Sequence, residues 1–334
     1  MKSKTAPMSK YITLLLNFLA TLFLLSCNQP FDPKAPFQEQ LVVFSVLSTD
    51  RNAQFVRVER NYMPPDFDPL AVVADKAIPG AQVTVTDGIA TYRLRDTTLP
   101  RLDTSRFKSP LHSFVMSPFS AQAGKTYRVT VQSPGLVSAT ATATVPSKSF
   151  PSMAITVSTI LDNPDRFKSN EGMVFNVVLS TITRGFVGRL FLDYEVLEGS
   201  EWVSKRTEVP LLALDPKVPS LKYVTYPQMI ARTSTGFAAQ VFKNYLYTAT
   251  LNSISFDRYK SNKLIFNRVV FQVLQADKNL FNYFNVAHAY RDAQSIRLDE
   301  PMFSNVAGGV GLVGAYALDS LVHLLPEDFA YNKK

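Results

Sequence analysis

Seven residues near the carboxyl end, Gly309-Val310-Gly311-Leu312-Val313-Gly314-Ala315, spell the GxGxxG/A pattern with which a dinucleotide-binding turn brings its backbone close to a pyrophosphate. That chemistry needs a strand before the glycines, a helix after them and an acidic residue about twenty positions on, all within a βαβ unit. Here Val310 to Leu318 reads as a strand rather than a helix, so the glycines are expected to make a turn, at Gly308 or Gly309, and to let a strand pack closely. Three histidines, His112, His288 and His323, stand too far apart for a metal-ligand motif, and neither an HExxH string nor a cysteine pair is present. His288 falls at helical spacing and reads as packing. A GxSxG nucleophile elbow is absent as well. Asp66, Asp68 and Asp75 lie in the proline-rich stretch Tyr62 to Pro79, but their spacing is not that of a calcium-binding EF-hand loop, and solvated loop carboxylates are the expectation. Tyr62, Met63 and Phe67 are apolar where a loop is normally polar, which marks a candidate contact loop. No catalytic residue, cofactor-binding residue or metal ligand is expected, and the chain is not expected to be an enzyme.

The remaining reactive side chain is Cys27, the one cysteine of the 334 residues. Upstream, Lys2, Lys4 and Lys10 appear without an acid and are followed by an apolar run from Tyr11 to Leu25, the arrangement of a secretory signal. The run is marginal for a membrane span and is interrupted by Asn17, Thr13 and Thr21, so cleavage fits better than a retained helix. Leu24, Ser26 and Cys27, at minus three, minus one and the acceptor position, resemble the lipobox of bacterial lipoproteins. That resemblance implies that residues 1–26 are removed and that Cys27 receives acyl chains on its sulfur and amino group, which together hold a protein to a membrane firmly. Met8 could serve as the start equally well, since the signal survives without the residues before it.

Loss of the signal takes three lysines and no acids, lowering the formal charge from +8 to about +5. The bases are scattered, so neither a nucleic-acid partner nor a polybasic membrane patch is expected. With Cys27 acylated no thiol remains for a disulfide, and stability must come from a sizeable hydrophobic core.

The elements that would carry any site are mostly β. Pro30, Pro33 and Pro36 make residues 27–39 an extended, lipidated tether. Leu41 to Leu47, Phe55 to Glu59, Ala81 to Thr86, Thr91 to Leu94, Lys125 to Gln132 and Leu136 to Val145 alternate or cluster as short strands, with Asp87-Gly88 as a hairpin turn. They predict an immunoglobulin-like or transthyretin-like sandwich over residues 40–146. The basic stretch from Arg93 to Lys108 reads as a solvated connection, and Pro146 to Pro151 as a linker. Residues 151–334 predict a second β-rich domain with strands at Ile155 to Ile160, Met173 to Ser180, Arg189 to Val196, Trp202 to Val209 and Lys263 to Leu274. Phe237 to Leu251 fits strand and helix equally. One amphipathic helix is expected near 277–293, capped by Asp277 and carrying Leu280, Phe281, Phe284, Ala287, His288 and Arg291 at helical spacing.

The segment Asp299 to Tyr316, with its proline, asparagine and glycine-rich turn before an apolar strand, resembles the closing motif of a large family of uncharacterised Bacteroidetes lipoproteins with a domain-of-unknown-function label. Ile78 to Gly88 and Ala123 to Val131 resemble that family's first-domain pattern, so the likeness touches both domains in order. It implies a cell-envelope lipoprotein anchored to the outer membrane through Cys27, without known catalytic residues or cofactor. Members of the family look like companions of TonB-dependent outer-membrane receptors, and such a receptor is the partner the resemblance implies. A structural or adhesive envelope role is the alternative. An acidic cluster after the lipidated Cys, which resembles a surface-export signal, is missing from Asn28 to Pro33, leaving the periplasmic face and the cell surface both open.

Overall fold

The computed structural model describes residues 36–64, 68, 71–214, 222–288 and 303–333, with the side chains of 214 and 286–288 excepted. Signal, Cys27 and most of the tether lie outside the described residues, as does Phe67. The first half of the chain forms β1 (Leu41–Ser48), β2 (Gln54–Arg60), β3 (Gln82–Thr86), β4 (Thr91–Arg93), β5 (Arg95–Leu99), β6 (Leu111–Met116), β7 (Thr126–Gln132) and β8 (Ala139–Thr144). The second half forms β9 (Phe150–Met153), α1 (Ile155–Asp162), β10 (Gly172–Val178), β11 (Gly185–Glu198), β12 (Glu201–Val209), β13 (Leu211–Leu214), β14 (Lys222–Thr225), β15 (Ile230–Ala231) and β16 (Phe237–Lys243). It closes with α2 (Asn244–Asn252), β17 (Leu264–Ala276), α3 (Lys278–His288) and β18 (Gly309–Leu324). The protein is thus mostly β, as its alternation implies.

One nine-stranded sheet, in the order β12-β11-β17-β18-β1-β2-β6-β5 with β15 beside β11, runs through both halves of the sequence. Its centre is the parallel pairing of β1 with β18, Leu41 opposite Gly309 and Ser48 opposite Tyr316. Parallel neighbours need a long crossover, and here the crossover is nearly the whole chain. A four-stranded sheet, β4-β3-β7-β8, and a three-stranded one, β16-β10-β9, cover the large sheet. Both lie on the same side of it, because odd-numbered positions of β18 serve both cores. Val313, Ala315 and Ala317 join Leu41, Val43, Val83 and Val129 in the first core, whereas Leu321 and Leu325 pack with Phe175, Phe242 and Phe271 in the second. Val306, just before β18, also enters the first core, so that core is completed by residues far beyond residue 146.

Local physics explains where the elements depart from expectation. Ile155–Asp162 is a helix, not a strand: Val157, Ile160 and Leu161 are buried at a spacing of three and four, while the β-branched Ile155, Thr156 and Thr159 face outward. Tertiary burial overrides the strand preference of isoleucine, threonine and valine. Phe237 to Leu251 divides into both of its readings, a strand to Lys243 and a helix from Asn244. In place of a solvated connection, Arg95–Leu99 pairs with β6 as an edge of the large sheet.

The helix expected near 277–293 is present as α3, and the Leu280 amide donates to Asp277 Oδ1 at 2.8 Å as the cap requires. Leu280 and Phe281 are buried against Leu312 and Ala276 on the even-numbered side of the large sheet, opposite the two cores.

Candidate functional site

The even-numbered side of the large sheet is where a ligand or partner can reach the framework. Alternation along β1 places Val42, Phe44 and Val46 there, and the β18 register adds Leu312, Gly314 and Tyr316 beside them. α3 and the segment Tyr226 to Met229 stand on this side and flank an open cavity of about 740 Å³. Val46, Val187, Leu274, Met229, Leu280 and Phe284 supply its apolar lining, and Tyr226 and Tyr316 add aromatic surface with polar tips. The size is that of an ordinary small-molecule or side-chain pocket. At one end Arg189 donates through Nε to Glu208 Oε1 at 2.8 Å and through Nη2 to Oε2 at 2.5 Å. The hydrogen bonds to Glu208 raise Arg189 above its usual range and outweigh burial, which would lower it.

Further along the same side, Arg189 and Arg206 both lie over the Phe191 ring, at 4.9 and 5.1 Å. Asp193 accepts from Arg206 through both carboxylate oxygens, at 2.5 and 2.8 Å, and from Arg268 Nε at 2.8 Å. Burial pushes the Asp193 carboxyl up, yet the two guanidinium groups outweigh it and hold it below the ordinary carboxylate range. Two cations share this one anion, with Glu195 two residues further along β11 on the same face.

The candidate contact loop is tied down. Tyr62 Oη accepts from Arg106 Nη2 at 3.1 Å, and Arg106 Nε donates to the Val72 carbonyl at 3.1 Å. Arg101 pairs with Asp75, and both Arg101 and Arg106 stack on Phe107. Asp75 is therefore a half-buried acceptor for Arg101, not a solvated loop carboxylate, and the basic stretch from Arg93 to Lys108 clasps the loop it faces. Met63 is exposed beside Tyr62, while Asp66 and Phe67 fall outside the described residues. Charge order, Arg against Asp across two loops, was the signal that could have paired these segments.

The histidines are separate. His112 meets Asp96 at 2.5 Å and His323 meets Asp162 at 2.7 Å, whereas the His288 side chain is outside the described set. Among the described residues no group of three or more His, Cys, Asp or Glu is placed to hold a metal ion. The glycine-rich motif lies inside β18, not between a strand and a helix. Gly308 turns the chain at φ 76°, Gly309 comes within what would be 2.5 Å of the Leu41 carbonyl for any added Cβ, and Gly314 lies under Leu280 of α3. Its work is close packing, with no helix N-terminus for a phosphate.

No curated protein matches this sequence. Among solved structures, trypsin-activated alpha-2-macroglobulin from Escherichia coli is 10% identical, with 75% of this chain and 15% of that one covered and a TM-score of 0.19. The C-terminal globular domain of an oligosaccharyltransferase from Pyrococcus abyssi is 10% identical, with 89% and 52% covered and a TM-score of 0.21. The chain thus spans about 15% and 52% of the structures it matches, and likeness at TM-scores of 0.19 and 0.21 carries no argument about fold or activity. A family model described as "Domain of unknown function (DUF4249)" matches residues 28–321, from just after Cys27 through most of β18, and the chain belongs to that family.

Proposed function

We propose that the chain is a lipid-anchored binding protein of the bacterial cell envelope, non-enzymatic, held to the outer membrane through Cys27 and working beside a TonB-dependent transport receptor. The observation that supports binding is the cavity on the even-numbered side of the large sheet. Its walls are apolar and aromatic, and its carboxylate, Glu208, is engaged by Arg189 in a two-point ion pair. A rigid sheet backs the cavity, the usual arrangement for a site that recognises rather than reacts. The address rests on the sequence before Cys27 and on the resemblance of the closing motif to Bacteroidetes lipoproteins.

The experiment places a photo-crosslinking amino acid at Tyr226, on the cavity rim, and follows radiolabelled palmitate in the same cells. Palmitate on the wild type but not on Cys27→Ser, with an adduct from position 226 to an outer-membrane β-barrel receptor, is the expected outcome. Palmitate entering Cys27→Ser removes the anchor. An adduct confined to other copies of this chain or to envelope polymer would replace the receptor reading with the structural one.

A further inference from the structure

We propose that the outer face of the β16-β10-β9 sheet docks onto an anionic lipid bilayer. The pairing registers decide which side chains share that face. Val178 stands opposite Phe150 on one side and Phe237 on the other, and one step along Asn176 stands opposite Ser152 and Ala239. Beyond them Val174 faces Val241 and Gly172 faces Lys243. The inward positions of the same strands, Met173, Phe175, Val177 and Phe242, are fully buried in the second core. The outward row is not covered: Phe150 is 71% exposed, Val178 and Phe237 52% each, Val241 41% and Val174 37%. Sheets that face water normally alternate apolar-in with polar-out, whereas this outward row sets Phe150, Val178, Phe237, Val174 and Val241 on either side of Asn176 and Ser152.

Charge around the row is mostly positive. Residues 146–154, 171–184 and 232–243, which make the three strands and their flanks, contain Lys148, Arg184, Arg232 and Lys243 against one acid, Glu171, beside Gly172. Among the described residues none of these four is ion-paired with a carboxylate. Lys148 continues the outward alternation past Phe150, Arg232 lies against Gly236 beside Phe237, and Lys243 closes the far end. The apolar row therefore has cations at both ends, the order in which an interfacial surface meets acyl chains and phosphate headgroups.

Size argues for a bilayer over a second copy. Three strands and seven residues span roughly 10 by 20 Å, far less than the ~800 Å² per partner of a stable protein interface. A bilayer needs no matching shape, and shallow insertion of two phenylalanines with neighbouring cations suffices for reversible binding. The inference stands apart from acylation at Cys27, because nothing in it uses the lipid.

The test uses the chain from Asn28 onward, which keeps both cores and every strand of the described residues but has neither acyl chain nor cysteine. Ser152→Cys, at the exposed centre of the row, then carries an environment-sensitive fluorophore. Vesicles containing phosphatidylglycerol should shift its emission to the blue and co-sediment with the protein, whereas vesicles of phosphatidylcholine alone should not. Lys148→Glu with Arg232→Glu should weaken binding about tenfold or more, and Phe150→Ser with Phe237→Ser should abolish it, both without a change in melting temperature. Emission unmoved by anionic vesicles overturns the proposal. So does binding that survives both double variants, or a concentration-dependent dimer that Phe237→Ser dissolves, which would give the face to a second copy.

Discussion

The carbonyl of Val43 fills the space that a side chain on Gly311 would need. The two residues sit opposite each other where β1 and β18 run parallel, and Gly311 holds φ at 127°, a conformation that residues with a Cβ rarely adopt. The amino- and carboxyl-terminal parts of the fold are joined at this point, so the glycine controls a joint and not merely a turn.

Gly311→Ala is accordingly expected to cost about 2 kcal/mol or more, through strain and displacement of β1 together. Gly308→Ala, in the preceding turn with the Ser138 carbonyl in its way, should cost a similar amount. Sequence alone put the turn at Gly308 or Gly309, and the second strained position lies two residues beyond Gly309. Urea unfolding of each variant, beside calorimetric titration of the wild type with nicotinamide and adenine nucleotides, separates packing from phosphate binding. Micromolar nucleotide affinity lost in a variant of unchanged stability would restore the dinucleotide reading.

Asp277 caps α3 from inside the protein. Burial pushes its carboxyl up to about 6, against the opposing pull of backbone amides at Leu280, Ala315, Thr144 and Asn279. The fold therefore favours the protonated acid, and this contribution is complete below the unfolded value near 3.8 and lost as pH rises through about 6. A difference of this size corresponds to up to about 3 kcal/mol. Asp277→Asn keeps an oxygen for the Leu280 amide without the buried charge. Its stability relative to wild type should rise from pH 4 to pH 6.5, by about 1 kcal/mol or more. Chemical unfolding at several pH values checks it, and a difference that stays flat would show that the carboxyl titrates normally.

Much of the sheet framework was legible in the sequence because its strands keep one face dry: Leu41, Val43 and Leu47 alternate with residues that face the other side. Order within the sheet was not legible, since pairing β1 with β18 depends on contacts nearly the length of the chain apart. Ile155–Asp162 misled because a short run of β-branched residues carries the same letters in either structure, and only the burial of Val157, Ile160 and Leu161 decides. The cavity was hidden for a related reason. Val46, Val187, Leu274 and Tyr316 come from four strands, and each looks locally like any other sheet residue.

Asp193 anchors two arginines and should reveal them as a coupled unit. Removing Arg206 or Arg268 alone leaves the carboxylate one partner, so each alanine substitution is expected to cost about 1 kcal/mol. Removing both strands a mostly buried anion, and the double variant should lose clearly more than the sum, by about 1 kcal/mol or more. A double-mutant cycle by urea unfolding at neutral pH measures the coupling. Strict additivity would mean that solvent replaces either guanidinium without penalty.

Gln275 makes the last and most discriminating case, because it fastens the connection after β8 to the second core. Its side chain is fully buried, and Oε1 accepts from the Ser180 amide and the Thr183 hydroxyl, both at 2.8 Å. Nε2 donates to the Ser147 carbonyl at 2.9 Å, and the neighbouring Asp319 accepts from the Ser149 amide and hydroxyl at 2.7 and 2.9 Å. Residues expected to be a plain linker are thereby drawn into the sheet. Gln275→Leu fills the same space but leaves the Ser180, Thr183 and Ser147 groups without their partner, and should cost about 2 to 4 kcal/mol. Gln275→Glu keeps the acceptor for Ser180 and Thr183 while setting a carboxylate against the Ser147 carbonyl and Asp319. Its folded-state pKa would be raised, so its deficit relative to wild type should shrink as pH falls toward 4. Urea unfolding at pH 7 and pH 4 tests both variants together. A Gln275→Leu variant within about 0.5 kcal/mol of wild type would show that these groups find other partners and that the connection holds without the clasp.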